Sequence, residues 1–131
     1  MGSSVKGRVL VVDDEPLIRE MAREILESHG YSVAEAVDGQ SGLETFMDQP
    51  GGFDLLILDL VMPRLHGFQV MDRILQVAPA TRILISSGFS PDTRPELTRP
   101  TRTTGFLAKP YRSRDLLEQV RRLMDPPPEG G

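Results

Sequence analysis

Cysteine is absent from this sequence, which excludes disulfides, thiolate metal sites and thiol catalysis. Positive charge is not in excess either: the formal net charge is -4 at pH 7, which argues against a surface that binds nucleic acid. Because no apolar run approaches the length of a membrane-spanning helix and no signal peptide is visible, a cytoplasmic protein without a membrane partner is the default expectation. The 131 residues, 39% of them hydrophobic, suffice for one globular domain with its own core.

Apolar segments of two kinds alternate along the chain. Short runs rich in Val, Ile and Leu predict five strands, at Val9–Val12, Tyr31–Val37, Leu55–Leu58, Ile83–Ile85 and Gly105–Ala108. Apolar residues at helical spacing predict helices between and after these strands. Between the fourth and fifth strands, however, Pro95 and Pro100 leave room only for a short or irregular helix. This order predicts an α/β fold, with a parallel sheet covered by helices on both faces.

The two ends of the chain differ in composition from its centre. Residues 1–7 (MGSSVKG) are expected to form a flexible leader. Residues 125–131 (DPPPEGG) are expected to form a Pro- and Gly-rich tail or the stub of a linker, because proline cannot continue a helix. The predicted domain therefore comprises residues 8–124. Whether it is a stand-alone protein or part of a larger regulator stays open at this stage.

The third predicted strand is the segment that points to function. Leu55–Leu58 are apolar without alternation, as in a strand that is buried on both faces of a parallel sheet, and the run ends at Asp59. The strand therefore carries a carboxylate to the carboxyl-terminal edge of the sheet, where open α/β sheets bind their ligands. The alternative is that Asp59 simply opens a turn, as Asp often does.

Polar side chains also follow the other strands. Asp13 and Asp14 follow the first strand, Ser87 the fourth and Lys109 the fifth, so all should meet at one edge of the sheet. Clustered carboxylates repel one another, and Mg²⁺, which prefers oxygen ligands and completes its shell with phosphate oxygens, would relieve that repulsion. An aspartate can attack phosphorus to form an acyl phosphate, while a lysine and a hydroxyl can bind the phosphoryl oxygens. Taken alone, Asp13 or Asp14 could cap the first helix, Ser87 could belong to a turn and Lys109 could be a surface lysine. Their coincidence with Asp59 at four strand ends favours phosphoryl chemistry.

Four motifs in this order resemble the receiver domain of two-component response regulators: VLVVDDE at 9–15, DLVMP at 59–63, SGF at 87–89 and FLAKP at 106–110. The resemblance extends from about Arg8 to Met124. It implies a flavodoxin-like, doubly wound five-stranded sheet with strand order 2-1-3-4-5, of which a member of the family is itself the standard example. That order is carried over from the family, because the strand pattern alone does not give it.

The resemblance implies a phosphoacceptor and a magnesium site. Asp59 would accept the phosphoryl group. Asp14 would bind Mg²⁺ directly, while Asp13 would bind it or hold one of its waters. Asp59 and the backbone carbonyl of Val61 would be further ligands.

The resemblance also implies a switch. Ser87 would donate to the phosphoryl oxygens and Lys109 would pair with them, and Phe106 would reorient when Ser87 moves toward the phosphoryl group. Ser86 competes with Ser87 for this role, but Ser87 is preferred because a small residue and an aromatic then follow it, as in relatives. The peptide bond between Lys109 and Pro110 would be cis, an isomer accessible mainly before proline.

The partner that the resemblance implies is a histidine kinase or phosphotransfer protein, whose phosphohistidine supplies the phosphoryl group. The receiver would then signal to a downstream protein by a change of conformation. It is not expected to be an enzyme beyond self-phosphorylation from small phosphodonors and slow autodephosphorylation.

The family's signalling and dimerising face includes the helix before the fifth strand. Since Pro91–Thr104 departs from the family pattern there, a phosphorylation-dependent dimer stays open. The segments SSGF and GFLAKPYR resemble receivers of hybrid histidine kinases.

Two other classes of protein share parts of this pattern. A Mg²⁺-dependent phosphohydrolase with an Asp nucleophile would need a D-x-D arrangement on the first strand, which Asp13 and Asp14 do not supply. A flavodoxin-like cofactor-binding module would need a phosphate-binding loop rich in Ser, Thr and Gly, whereas the loop after the first strand is acidic. Turnover of a generic phosphate ester would identify the enzyme, and a bound yellow chromophore would identify the flavoprotein.

Overall fold

The computed structural model of the chain describes residues 6–49, 51–60, 67–88 and 103–124. Within these residues, strands and helices follow one another as β1 (Arg8–Val12), α1 (Pro16–Ser28), β2 (Ser32–Ala36), α2 (Gly39–Asp48), β3 (Leu55–Asp59), α3 (Gly67–Val77), β4 (Arg82–Ser87), β5 (Thr104–Ala108) and α4 (Ser113–Met124). Every predicted strand is present, with ends that differ from the prediction by no more than two residues. The expectations for residues 1–5, Val61, 89–102 and 125–131 lie outside the described residues.

The five strands form one parallel sheet in the order β2-β1-β3-β4-β5. This confirms the flavodoxin-like, doubly wound α/β fold and the strand order that the family resemblance implied. The central strand β3 lies between β1 and β4, and all of its residues are buried. Because the strands run in one direction, Asp13, Asp59, Ser87 and Lys109 lie at the same edge of the sheet.

The core has two halves, one on each face of the sheet. Side chains of β3 alternate between them: Leu55 and Ile57 pack with the apolar faces of α1 and α4, whereas Leu56 and Leu58 pack with those of α2 and α3. Each such side chain contributes about 1.5–3 kcal/mol when it is fully buried. Cover on both faces therefore explains why the sequence of β3 is apolar throughout and does not alternate.

Helix ends follow local chemistry. Pro16 opens α1, where its missing amide donor costs nothing, and Gly30 follows the helix with a φ of 95° that other residues avoid. Asp38 caps α2, because its carboxylate accepts a hydrogen bond from the Ser41 amide at 2.8 Å. None of the helices in the described ranges is long and apolar enough to cross a membrane.

Candidate functional site

Four acidic residues meet at the carboxyl-terminal edge of the sheet. The carboxylates of Asp13, Asp14, Glu15 and Asp59 each offer an oxygen within 4.8 Å of the others. Asp13 and Asp59 are 3% and 4% exposed, so their charges are largely withdrawn from water. Such a set of hard oxygen donors fits Mg²⁺, which binds carboxylates and keeps several of its waters. The predicted carbonyl ligand, from Val61, lies outside the described residues.

Lys109 lies inside this acidic cluster. Its Nζ is 2.8 Å from Asp13 Oδ2, 2.8 Å from Glu15 Oε2 and 3.1 Å from Asp59 Oδ2. The side chain is only 9% exposed. Burial lowers the pKa of Lys109, but hydrogen bonds to Asp13 and Glu15, together with the charges of Asp13 and Asp59, outweigh burial and raise the pKa above its ordinary value. The site therefore holds a permanent cation beside Asp59.

The acidic loop after β1 is fixed through its backbone. The Asp13 amide donates to the carbonyl of Ala36 on β2 at 3.1 Å, and Asp13 Oδ1 accepts a hydrogen bond from the Glu15 amide at 2.9 Å. Arg19 on α1 donates to the Asp13 carbonyl at 2.8 Å. Neighbouring strands and the first helix thus determine where the Asp13 carboxylate lies.

The loop after β5 is fixed in a similar way. The Lys109 amide donates to the carbonyl of Ser87 at 3.0 Å, which ties the ends of β4 and β5 together. The peptide bond between Lys109 and Pro110 is cis, as the resemblance implied. Burial raises the pKa of Tyr111 to about 12, with the charge of Asp13 adding to the effect. Its hydroxyl therefore stays protonated beside the acidic cluster.

The two serines at the end of β4 occupy different surroundings. Ser86 is paired in register with Asp59, and its buried hydroxyl has no hydrogen-bond partner in the described part of the chain. Ser87 is fully buried. In a strand, residues two apart share a face, so Ser87 lies on the same face as Ile85, whose register partner is Phe106. Phe106 is half-buried and packs against the core half beneath α2 and α3.

A cleft of about 450 Å³ opens at the carboxyl-terminal edge of the sheet. It is lined by Asp14, Glu15, Ile18, Asp59, Gly88, Lys109 and Pro110. The cleft therefore joins the ends of β1, β3, β4 and β5, as the sequence predicted. Glu15 was not predicted to take part, although its place directly after Asp13 and Asp14 is a signal that could have identified it.

Comparison with known proteins gives the same family as the motifs. A family model described as response regulator receiver domain matches residues 9–121. The chain is 32% identical over 117 residues to the chemotaxis protein CheY of Treponema pallidum (strain Nichols), covering 86% of this chain and 79% of that protein. It is 30% identical over 118 residues to the response regulator receiver protein CpdR of Brucella abortus (strain 2308), covering 89% and 96%. A solved CheY-like receiver domain protein from Methanospirillum hungatei JF-1 superposes with a TM-score of 0.82 at 26% identity, covering 93% and 95%.

The chain therefore belongs to the response regulator receiver domain family, and its role is that of a phosphoacceptor receiver in two-component signalling. Receiver domains interact with histidine kinases or phosphotransfer proteins. Other relatives are much longer than this chain. It spans only 12% of one sensor kinase and 50% of one transcriptional regulatory protein that it matches.

Proposed function

We propose that Asp59 is the phosphoacceptor and that its phosphoryl group comes from the phosphohistidine of a histidine kinase or phosphotransfer protein. The observation that carries this proposal is the contact of 3.1 Å between Asp59 Oδ2 and Lys109 Nζ at the edge of the cleft. A buried carboxylate beside a fixed cation can attack phosphorus while the cation balances the charge of the incoming group.

In this reaction an oxygen of Asp59 forms the new P–O bond as the P–N bond of the donor breaks, and the electron pair of that bond stays on the donor nitrogen. Asp13, Asp14 and Asp59 would hold Mg²⁺, with the carbonyl of Val61 as a further ligand. The ion supplies neutralisation of the crowded negative charge. Lys109 pairs with a phosphoryl oxygen and so orients the group. The domain acts as a signalling module, as its family does, with turnover limited to self-phosphorylation from small phosphodonors and slow autodephosphorylation.

Mass spectrometry after incubation with acetyl phosphate and Mg²⁺ tests the assignment. We expect one phosphoryl group on Asp59 and none in Asp59→Asn. Asp54→Asn is a matched control, because Asp54 precedes the same strand at the opposite edge of the sheet, where its carboxylate accepts a hydrogen bond from the Arg8 amide at 2.8 Å. The control variant should be labelled like the wild type. Labelling of equal extent in Asp59→Asn would refute the assignment.

The switch that follows phosphorylation involves Ser87 and Phe106. The phosphoryl group adds charge and strong acceptor oxygens, which Ser87 reaches by moving inward with the end of β4. Phe106 shares the sheet face of Ser87 and has an apolar ring, so it can enter the vacated space without leaving a polar group unpaired. The two packings form a bistable element that a local charge can bias. The change of conformation is then available to a downstream protein target.

NMR spectra with the phosphoryl mimic beryllofluoride test this coupling. In the wild type we expect the resonances of both Ser87 and Phe106 to shift when the mimic binds. In Ser87→Ala the mimic should still bind, whereas the Phe106 resonances should stay near their free positions. An equal shift of Phe106 in both proteins would show that the ring does not respond to Ser87.

A further inference from the structure

Arg19 connects the acidic cluster to the edge of the sheet. It lies in the second turn of α1, and its side chain is 14% exposed. Its Nη1 donates to the Asp13 carbonyl at 2.8 Å, and its Nε donates to Glu35 Oε1 at 3.0 Å. One guanidinium therefore joins three elements, the end of β1, helix α1 and strand β2.

Glu35 keeps the guanidinium of Arg19 in this orientation. It lies on β2, and its second oxygen accepts a hydrogen bond of 2.6 Å from Arg23, one helical turn after Arg19. The hydrogen bond from Arg23 holds the pKa of Glu35 below its usual value against the effect of burial, and the bond from Arg19 adds to this. Glu35 therefore stays ionised between the two arginines. Arg23 has 48% of its side chain exposed, and its ion pairs within the described part of the chain are with Glu27 and Glu35. Of the two arginines, Arg19 is therefore the one that contacts Asp13.

Strand β2 holds the main chain of Asp13 from two sides. The Asp13 amide donates to the Ala36 carbonyl directly, while the Asp13 carbonyl is reached from Glu35, the preceding residue of β2, through Arg19. These contacts fix both peptide groups of Asp13. Its carboxylate is then directed toward Lys109 and the other acids.

We propose that Arg19, oriented by Glu35, is a positioning residue that fixes Asp13 and so sets the affinity of the acidic cluster for Mg²⁺. The proposal rests on the proposed function insofar as Asp13 belongs to the magnesium site. Partners that orient a ligand from outside the metal shell typically change metal affinity by about 10–100-fold when they are removed. A planar fork suits this task, because it binds two acceptors at a fixed angle, whereas the lysine ammonium is a point charge whose three donors have no fixed fork geometry.

Two arginine variants separate positioning from charge. Arg19→Gln and Arg23→Gln each remove one positive charge and one partner of Glu35, but only the first removes the contact with Asp13. We expect the Mg²⁺ dissociation constant, measured by calorimetry on the unphosphorylated protein, to rise about tenfold in Arg19→Gln. In Arg23→Gln it should stay close to the wild-type value. Equal changes in the two variants, or none in Arg19→Gln, would overturn the proposal.

Amide hydrogen exchange gives a second readout that does not need the metal. In Arg19→Gln the Asp13 amide should exchange faster than in the wild type, while amides in the centre of β3 should keep their protection. Arg19→Lys should recover only part of the affinity, because the shorter side chain and its point charge do not hold the two acceptors in the fixed geometry of the guanidinium. Faster exchange throughout the sheet would show a general loss of stability and would count against a positioning role.

A third comparison separates this proposal from the proposed function. If Glu35 acts through Arg19, the double variant Arg19→Gln/Glu35→Gln should bind Mg²⁺ no more weakly than Arg19→Gln alone. If the Glu35→Gln substitution lowered the Mg²⁺ affinity of the double variant further, by as much as it does alone, the role of Glu35 would be overturned. Wild-type protein that binds Mg²⁺ and is phosphorylated on Asp59, with Arg19→Gln indistinguishable from it, would refute this inference and leave the proposed function intact. Wild-type protein that binds no Mg²⁺ would refute both.

Discussion

Lys109 has as many carboxylate partners as it has ammonium hydrogens, namely Asp13, Glu15 and Asp59. A phosphoryl oxygen that takes a hydrogen bond from Lys109 must therefore replace one of them. Asp13 and Asp59 are buried, whereas Glu15 has 57% of its side chain exposed and can turn into water. Glu15 is therefore the partner that gives way most easily.

Glu15→Gln should make this exchange easier. An exposed ion pair contributes about 0.2–1 kcal/mol, so beryllofluoride binding at saturating Mg²⁺ should become up to about fivefold tighter. Glu24→Gln is the matched control, because Glu24 is an exposed acid on α1 and the variant changes the net charge equally. Fluorescence or NMR titration with the mimic measures the difference. Unchanged binding in Glu15→Gln, or an equal gain in Glu24→Gln, would contradict the exchange.

Ser86 offers a second test at a single residue. A buried hydroxyl without a partner carries a desolvation cost of about 1–3 kcal/mol, so Ser86→Ala should raise the free energy of unfolding by an amount near the lower end of that range. Ser87→Ala should give no such gain, because the Ser87 hydroxyl is not among the buried side-chain groups of the described residues that lack a hydrogen-bond partner. Urea unfolding of the metal-free proteins measures both. A loss of stability in Ser86→Ala would mean that its hydroxyl is satisfied.

At the scale of elements, the start of α3 approaches the end of β3 very closely. A Cβ atom on Gly67 would lie 2.7 Å from the Asp59 carbonyl oxygen and 2.6 Å from the Leu60 Cα atom, and both are backbone atoms that cannot turn aside. The Gly67 amide also donates to the Leu60 carbonyl at 3.1 Å. The position of Asp59 therefore depends on the absence of a side chain at residue 67.

Gly67→Ala should push α3 away from β3. We expect a loss of about 1–3 kcal/mol in the free energy of unfolding, as for other overpacked sites, together with slower phosphorylation of Asp59. Gly88→Ala is the control for stability, since a Cβ atom there would meet no atom of the described residues within 4 Å. Urea unfolding and acetyl phosphate labelling measure the two effects. Equal stability of the two variants would show that the contact relaxes without cost.

The sequence predicted the elements better than the contacts between them. β3 was recognisable because Leu55–Leu58 are apolar without alternation, and Asp59 followed from where that run ends. The strand order came only from the family resemblance, because periodicity says nothing about which strands are neighbours. Arg19 was missed for a related reason: it looks like any polar residue on α1, and its partners Asp13 and Glu35 come together only in the folded sheet.

At the scale of the whole molecule, the acids of the cluster differ in how they affect the stability of the metal-free protein, although both Asp13 and Asp14 are proposed Mg²⁺ ligands. Asp13 is paired with Lys109, whereas Asp14 forms no ion pair among the residues that the structure describes. Removing the charge of Asp14 therefore relieves repulsion and loses no pairing, while removing that of Asp13 leaves a buried contact of Lys109 unmade.

Asp14→Asn should raise the free energy of unfolding without metal, and Asp13→Asn should lower it. Both variants should bind Mg²⁺ more weakly than the wild type. In the wild type, Mg²⁺ at one hundred times its dissociation constant should add about 2.7 kcal/mol to the free energy of unfolding, and both variants should gain less at that same concentration. Urea unfolding with and without Mg²⁺ measures all three proteins. A metal-free Asp14→Asn that is less stable than the wild type would contradict the account of repulsion.

The two ends of the described domain meet at the edge of the sheet that is opposite to Asp59. The Lys6 amide donates to the Gly30 carbonyl at 2.9 Å, and a pocket there is lined by Lys6, Tyr31, Arg121 and Met124. A larger protein can therefore be connected to this domain through either end, or through both, at the edge of the sheet that lies away from the cleft. The cleft over Asp59, at the opposite edge of the sheet, would then remain accessible to the phosphate donor. The relatives that this chain matches include a sensor kinase and a transcriptional regulatory protein, of which it spans 12% and 50%.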